Sequence, residues 1–240
     1  MNEVRLQKYF TDCNIMSRRA AEKEISDGKV KVNGHPASLG MKINPATDSV
    51  VWNGKRIYPS ERKYHYIILN KPRGYITSMS DDRGRKCVTE LLCDYPHRVY
   101  PVGRLDMVSE GILLLTDDGD LANKMTHPSH SIPKVYRVKV SGEVSAKQFE
   151  ILTSPLVIDG YKIKPVAVEI ATADENGTVL KMTLFEGRNR QIRKMCEQAG
   201  LTVKRLNRVS IGILKLNNLP VGKYRELDDD EVKYLKRNVK

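Results

Sequence analysis

Arg104 and Asp106 stand two residues apart in the stretch GRLDMVSEGILLLT, just ahead of the apolar run Ile112 to Thr116. An isolated aspartate of this kind usually bonds nearby backbone amides in a turn. Its company points elsewhere. A glycine and an arginine precede it, and a second basic cluster, EGRNRQIRKM, carries Arg188, Arg190 and Arg193 far down the chain. A carboxylate near phosphates is repelled by them and stays ionised at modest cost only with an arginine beside it, so Arg104 and Asp106 are expected to form an ion pair. One ionised carboxylate at the bottom of a basic cleft suits nucleophilic or base chemistry on a nucleic acid.

Other chemistries find less support. Glycoside hydrolysis needs two carboxylates at a set separation, and the spacing of Asp106 to Glu110, Asp117, Asp118 and Asp120 does not enforce one. The fragment TDDGD lacks the glutamate and the alternation of a calcium loop and reads as a turn. His127 and His130 flank Pro128, which argues against one helix face, and no second ligand pair follows, so no metal site is expected. Cys13, Cys87, Cys93 and Cys196 show no two-residue spacing and read as reduced thiols. A basic nuclease would need a metal cluster or a histidine pair in register, and neither is present.

Tyr136 sits in KVYRVKVSG, where Tyr136, Val138 and Val140 alternate with Val135, Arg137 and Lys139. A tyrosine on the inward face of a strand is most often core, its hydroxyl bonded to something polar. It can also be a ring on which a base stacks, a contact worth about 1–3 kcal/mol. After EGRN, the residues Ile192, Met195, Cys196 and Ala199 recur on one helical face, with Arg190, Lys194 and Glu197 opposite and Gly200 as the stop. Arg193 falls at the border of the apolar stripe, where an arginine can reach from the core edge into a cleft.

The elements that must position these groups follow from the pattern. The 240 residues suit one large domain or a small one joined to a medium one. In the first part, Ser17 is the expected N-cap of RRAAEKEI and Gly28 its stop. Asn33-Gly34 and Asn53-Gly54 are tight-turn signals in a small twisted sheet. PSERK, residues 59–63, reads as a linker, which sets domains at 1–60 and 61–240. Beyond it HYIILNKP, GILLLT, KVYRVKV and TVLKMTLF read as strands. With no glycine-rich phosphate loop and no regular strand–long-helix alternation, the second part is expected to be α+β, a mainly antiparallel mixed sheet flanked by helices.

Charge points to the partner. Lys and Arg number 41 against 29 Asp and Glu, a formal +12, which favours a polyanion such as RNA, DNA or an anionic membrane surface. Residues 1–62 hold eleven basic against seven acidic side chains, and the remainder thirty against twenty-two, so both parts can touch one polyanion. No apolar run approaches the roughly 18 residues of a membrane span, and no signal region opens the chain. A cytoplasmic protein is expected.

Several motifs together carry a resemblance. LNKPRGYI, PVGRLDMVSEGILLLTDDGDLANKMTHP, KVYRV and LFEGRNRQIRKM occur in the order seen in bacterial ribosomal RNA pseudouridine synthases of the RsuA/RluB/RluF group. RLQKYF, SRRAAEKEI and GKVKVNG resemble the small RNA-binding domain named after ribosomal protein S-four. The resemblance runs from about Val4 to Leu235 and implies a pseudouridine synthase fold, no cofactor, no metal and ribosomal RNA as partner. It implies that Asp106 is the catalytic carboxylate, that Tyr136 stacks on the target uracil and that Arg193 pairs with Asp106. Arg104 would contact RNA and fill the space left by an everted base, and Ile192 would wall the base pocket. Lys71 and Pro72 match a motif near the pocket's support, and Lys71 is counted with Arg188 and Arg190 among the RNA-binding side chains. On the first domain Ser17, Arg18, Arg19, Lys23 and Lys29 could meet phosphate.

The target is expected to be large-subunit ribosomal RNA, with small-subunit RNA and transfer RNA as alternatives, and the enzyme a monomer. A non-catalytic RNA-binding or ribosome-assembly protein remains the alternative of another class. It accounts for the charge and the first domain but not for Asp106, Tyr136 and Arg193 together.

Overall fold

The structure is a computed structural model and describes residues 3–58, 63–127 and 132–238. The chain divides into two compact units, Met1–Lys63 and Tyr64–Lys240. His130 and all of the expected linker except Lys63 lie outside the described residues.

The first unit runs β1 (Val4–Arg5), α1 (Leu6–Asp12), α2 (Arg18–Ser26), β2 (Val30–Val32), β3 (His35–Pro36), β4 (Lys42–Ile43), β5 (Val50–Trp52) and β6 (Lys55–Ile57). Ser17 caps α2 by accepting from the Ala20 amide at 3.2 Å, and Gly28 ends it at φ +71°. Asn33 and Gly34, and again Asn53 and Gly54, all take positive φ. That is the turn whose twist matches a two-strand hairpin, and it closes β2 on β3 and β5 on β6 in a sheet ordered β3-β2-β5-β6. Leu6, Tyr9 and Phe10 of α1 pack on Ala21 and Ile25 of α2 over Val30, Val32 and Val50. Arg18 and Arg19 are left exposed in the first turn of α2.

The second unit runs β7 (Tyr66–Lys71), a 3₁₀ turn (Val88–Leu92), β8 (Tyr100–Pro101), β9 (Glu110–Thr116), α3 (Gly119–Thr126), β10 (Lys134–Val140), α4 (Ala146–Thr153), β11 (Val157–Ile158), β12 (Tyr161–Lys162), β13 (Ala167–Asp174), β14 (Gly177–Leu184), α5 (Gln191–Gln198), β15 (Val203–Ile211), β16 (Leu214–Lys215), β17 (Tyr224–Glu226) and α6 (Asp229–Asn238). Its large sheet is ordered β13-β14-β10-β15-β9-β7-β17, with β16 on β15 and β8 on β9. Among the named strands of the described residues, β9 and β15 alone pair in parallel, with one isolated parallel bridge between Ile76 and Cys87. The mainly antiparallel mixed sheet with helices is the architecture the sequence pattern required.

Both sheet faces are covered, which explains the unbroken apolar runs. Ile67, Leu69, Leu113 and Leu115 point into one core with Ile192, Met195 and Cys196 of α5. Tyr66, Ile68, Ile112 and Leu114 point into the other with Leu121 of α3 and Leu235 of α6. Each fully buried Leu or Ile contributes about 1.5–3 kcal/mol relative to exposure, so β7 and β9 form a stiff spine.

The β9–β15 contact depends on Gly111. It takes φ +104°, and a Cβ there would lie 2.2 Å from the Arg208 carbonyl oxygen. TDDGD is more than a turn. Asp118 is the N-cap of α3, accepting from the Leu121 amide at 3.0 Å and from the Tyr66 hydroxyl at 2.8 Å. Arg190 is not on a helix face as the periodicity placed it. It is the N-cap of α5 and takes a left-handed φ of 52°.

Candidate active site

Asp106 lies in the loop from β8 to β9, and that loop is fastened from three sides. Thr77 Oγ1 donates to the Leu105 carbonyl at 2.7 Å and accepts from the Leu105 amide at 3.2 Å. The Gly74 amide donates to the Met107 carbonyl at 2.7 Å. Lys71 Nζ donates to the carbonyls of Pro72, Asp106 and Ser109 at 3.0, 3.1 and 2.8 Å. Three carbonyls satisfy the three donors of an ammonium, so the lysine fixes the main chain at the carboxylate. Burial pushes its pKa down to about 8, while Asp106 and Glu110 push the other way.

Lys71 is 0% exposed and cannot meet RNA directly. Its place among the RNA-binding side chains is corrected to the supporting role that the neighbouring motif suggested. The reason is geometric: Lys71 ends a strand buried on both faces, and its stem has no path to solvent.

A cavity of about 370 Å³ opens beside the loop, a volume at the lower end of small-molecule sites. Arg104, Asp106, Tyr136, Arg188, Arg190 and Ile192 all border it. Tyr136 is 7% exposed and its side chain makes no hydrogen bond among the described residues. Asp106 is half-buried, and its carboxylate likewise has no hydrogen bond or ion pair within the described residues. The expected Arg104–Asp106 ion pair is therefore absent: Arg104 is exposed and leaves the carboxylate open to the cavity.

Arg193 follows Ile192 on α5 and is half-buried, with Nε buried and unpartnered. Burial lowers its pKa, Arg190 lowers it further, and Asp106 raises it. The carboxylate and the guanidinium thus feel one another, yet no ion pair joins them in this structure. The pairing implied by the resemblance is not closed here. Arg18 and Arg19 belong to the first unit.

Four features were not read from the sequence. Gln191 organises the basic loop, accepting from the Arg188 amide at 3.1 Å and donating to Glu186 at 3.0 Å. Tyr161 borders the cavity and carries the Arg188 guanidinium over its ring at 3.2 Å. The β11–β12 hairpin that holds Tyr161 is tied to α5 by Lys194 on Asp159 and by Gln198 on the Val157 carbonyl. Lys134 and Arg208 also border the cavity. Only Gln191 left a trace, as the glutamine heading the Q-I-R segment.

A two-unit chain with a small basic α+β module and a pinned carboxylate in an aromatic, arginine-rimmed cavity has the parts of an enzyme that acts on nucleic acid. The chain belongs to the RNA pseudouridylate synthase family, which matches residues 65–198, and residues 4–48 match the S4 domain. It is 42% identical to an RNA pseudouridine synthase of Aquifex aeolicus over 98% of this chain and 94% of that protein. It is 40% identical to the ribosomal large subunit pseudouridine synthase B of Bacillus subtilis over 97% of this chain and 95% of that one. A solved pseudouridylate synthase superposes with a TM-score of 0.69 at 28% identity, covering 97% of this chain and 99% of its own. Among the described residues no helix is long and apolar enough to cross a membrane, and no three His, Cys, Asp or Glu cluster as metal ligands.

Proposed function

We propose that this enzyme isomerises a uridine of large-subunit ribosomal RNA, with Asp106 as the reactive carboxylate. The observation that carries the reading is the Asp106 carboxylate, unpartnered in the cavity while its own main chain is bonded to Lys71. The likeness to large subunit pseudouridine synthase B supports the choice of RNA.

The target base must leave its stack, at a cost of a few kcal/mol. Stacking on Tyr136 at about 1–3 kcal/mol offsets part of this, and phosphate contacts from exposed Arg104, Arg188 and Arg190 offset more. Ile192 closes the apolar side of the base pocket. Arg193 swings onto the Asp106 carboxylate once the base excludes water, because the ion pair strengthens as the local dielectric falls. Asp106 then adds to the sugar or to the base, or takes a proton from the sugar; the N1–C1′ bond breaks, and the base rejoins through C5. The S4 module supplies further phosphate contacts through Arg18 and Arg19. In this reading the enzyme works as a monomer in the cytoplasm.

Mapping pseudouridine across ribosomal RNA in a strain lacking the gene tests the substrate: one large-subunit site should revert to uridine. Complementation with Asp106→Asn should leave that site unmodified. Full modification by the Asn variant would overturn the assignment, and loss of a site in small-subunit or transfer RNA instead would move the substrate.

A further inference from the structure

Arg208 is the most buried charged side chain bordering the cavity, at 3% exposure. Its Nε donates to the Ile112 carbonyl at 2.8 Å, tying β15 to β9. Its Nη2 is buried and has no partner among the described residues. Leaving a buried donor unmet costs about 1–3 kcal/mol, and more for a charged group. A buried donor without a partner in the wall of a cavity is matched to something that enters it.

The strand register says what else it meets. Arg208 stands directly across from Tyr136 in the β10–β15 ladder, and residues so paired share a sheet face. Lys134 precedes Tyr136 by two and falls on the same face. Its Nζ makes one long contact, 3.4 Å to the Ile132 carbonyl, and the nearby Arg208 charge weighs on it. A ring and two cations therefore crowd one face of the sheet beside the cavity.

We infer that Arg208, with Lys134 beside it, recognises the target base by donating Nη2–H to a carbonyl oxygen of the uracil stacked on Tyr136. The inference rests on the cavity being the uridine site. When the N1–C1′ bond breaks, its electron pair stays with the base and spreads to O2 and O4. Asp106 compensates C1′, either through an ester bond or by taking the 2′ proton. On rejoining, C5 bonds to C1′ as the ester opens or C2′ regains its proton. C5 then releases its hydrogen as a proton and N1 takes one, so no further reactant enters. A fixed donor at O2 or O4 binds most strongly at the point where the base carries negative charge. Phosphate is the poorer occupant for Arg208. Exposed Arg104, Arg188 and Arg190 already offer phosphate contacts at the solvent side, whereas Arg208 lies in the inner wall of the cavity across from Tyr136.

The test uses the full-length enzyme and a large-subunit RNA fragment that it modifies, read as tritium released from [5-³H]uridine in a single turnover. Arg208→Met should slow this step by about 100-fold, the loss typical of one transition-state donor. RNA affinity and its salt dependence should stay unchanged. Replacing the target uridine by 2-thiouridine or 4-thiouridine weakens one acceptor at a time. One of the two should slow the wild type by about 10-fold and have no effect on the Met variant, since the contact is already gone. If the Met variant does not fold, Arg208→Lys replaces it, with the same sulfur insensitivity expected. Lys134→Met should reduce the sulfur effect partially.

Equal sulfur effects in wild type and variant at both positions would overturn the inference. So would a wild-type rate for the variant, or a shallower salt slope that marks Arg208 as a phosphate contact. Asp106→Asn runs in parallel. If it retains activity, the reading of the cavity fails; if it is inactive while sulfur and Arg208 remain uncoupled, only the base-recognition role fails.

Discussion

Lys71 Nζ lies 3.1 Å from the main-chain oxygen of Asp106, although 35 residues separate them. The lysine's hydrogen bonds to the active loop go to its carbonyls, and the Asp106 carboxylate adds an attraction without a hydrogen bond. Lys71→Met would strand the carbonyls of Pro72, Asp106 and Ser109, each costing about 1–3 kcal/mol if it stays dry. Relaxation and water entry reduce the sum. The expected loss is about 2–4 kcal/mol in urea unfolding, with activity lost as the loop moves. A variant of wild-type stability with no activity would show that Lys71 acts on the substrate instead.

Arg193 gives the opposite signature. Among the described residues its Nε is buried without a partner and it forms no ion pair, so the free enzyme gains little from it. Removing a half-buried cation that lacks an ion-pair partner is neutral or stabilising. Arg193→Met should therefore melt at or above the wild-type temperature while single-turnover activity falls by about 100-fold or more, the scale of lost electrostatic stabilisation. A clear drop in melting temperature would mean that Arg193 already supports the free fold.

Arg190 holds a left-handed φ of 52° at the head of α5, a conformation that costs a side chain with a Cβ about 1 kcal/mol. Arg190→Gly should raise stability by about that amount and weaken RNA binding with a smaller salt slope. A stability loss would show that the side chain, and not the backbone, stabilises this helix start.

Arg190 also marks where sequence reasoning stopped. Periodicity found α5 because Ile192, Met195 and Cys196 bury at helical spacing, but it extended the helix one residue too far. The register that begins at Gln191 is set by that side chain's bonds to the Arg188 amide and to Glu186, a tertiary contact with no periodic trace. Asn-Gly turns, the Ser17 cap and the two-faced strands were legible because each is a local matter of backbone or burial. Arg208 was not. It sits in RLNRVSIG among other basic residues, and only the β10–β15 register places it opposite Tyr136. Asp106 was legible as a carboxylate set apart by its neighbours, and it borders the cavity, whereas its expected partner was misplaced: proximity in sequence put Arg104 beside it, and the fold turns Arg104 to solvent.

Arg18 and Arg19 are exposed in the first turn of α2, where the helix dipole already favours an anion. The double Arg18→Ala, Arg19→Ala variant should lower RNA affinity about equally for matched and unmatched sequences, and reduce the salt slope by about 2. Single-turnover rate at saturating RNA should be unchanged. A fall in that rate with affinity intact would mean that the S4 module acts on the chemistry itself.

Lys134 makes a pH dependence visible. Burial first, then the charges of Arg208 and Lys164, hold its pKa at about 8, against 10.5 for a free lysine. Below pH 8 both folded and unfolded chains carry this proton, and the fold bears the cost of sheltering the charge. Between about 8 and 10.5 the unfolded chain keeps the proton and the folded chain releases it, so stability from this residue rises with pH across that window. Lys134→Met bears no such cost at any pH. Its stability relative to wild type should therefore be most favourable near pH 7 and decline steadily towards pH 10. Taking the difference between the two proteins removes Lys71, which titrates in the same window, and Cys196, whose thiol burial pushes up to about 12 with the opposite sign. Chemical unfolding at intervals from pH 7 to 10 reads the gap directly, and a gap that stays flat would mean that Lys134 is solvated like any surface lysine and contributes no field to the cavity.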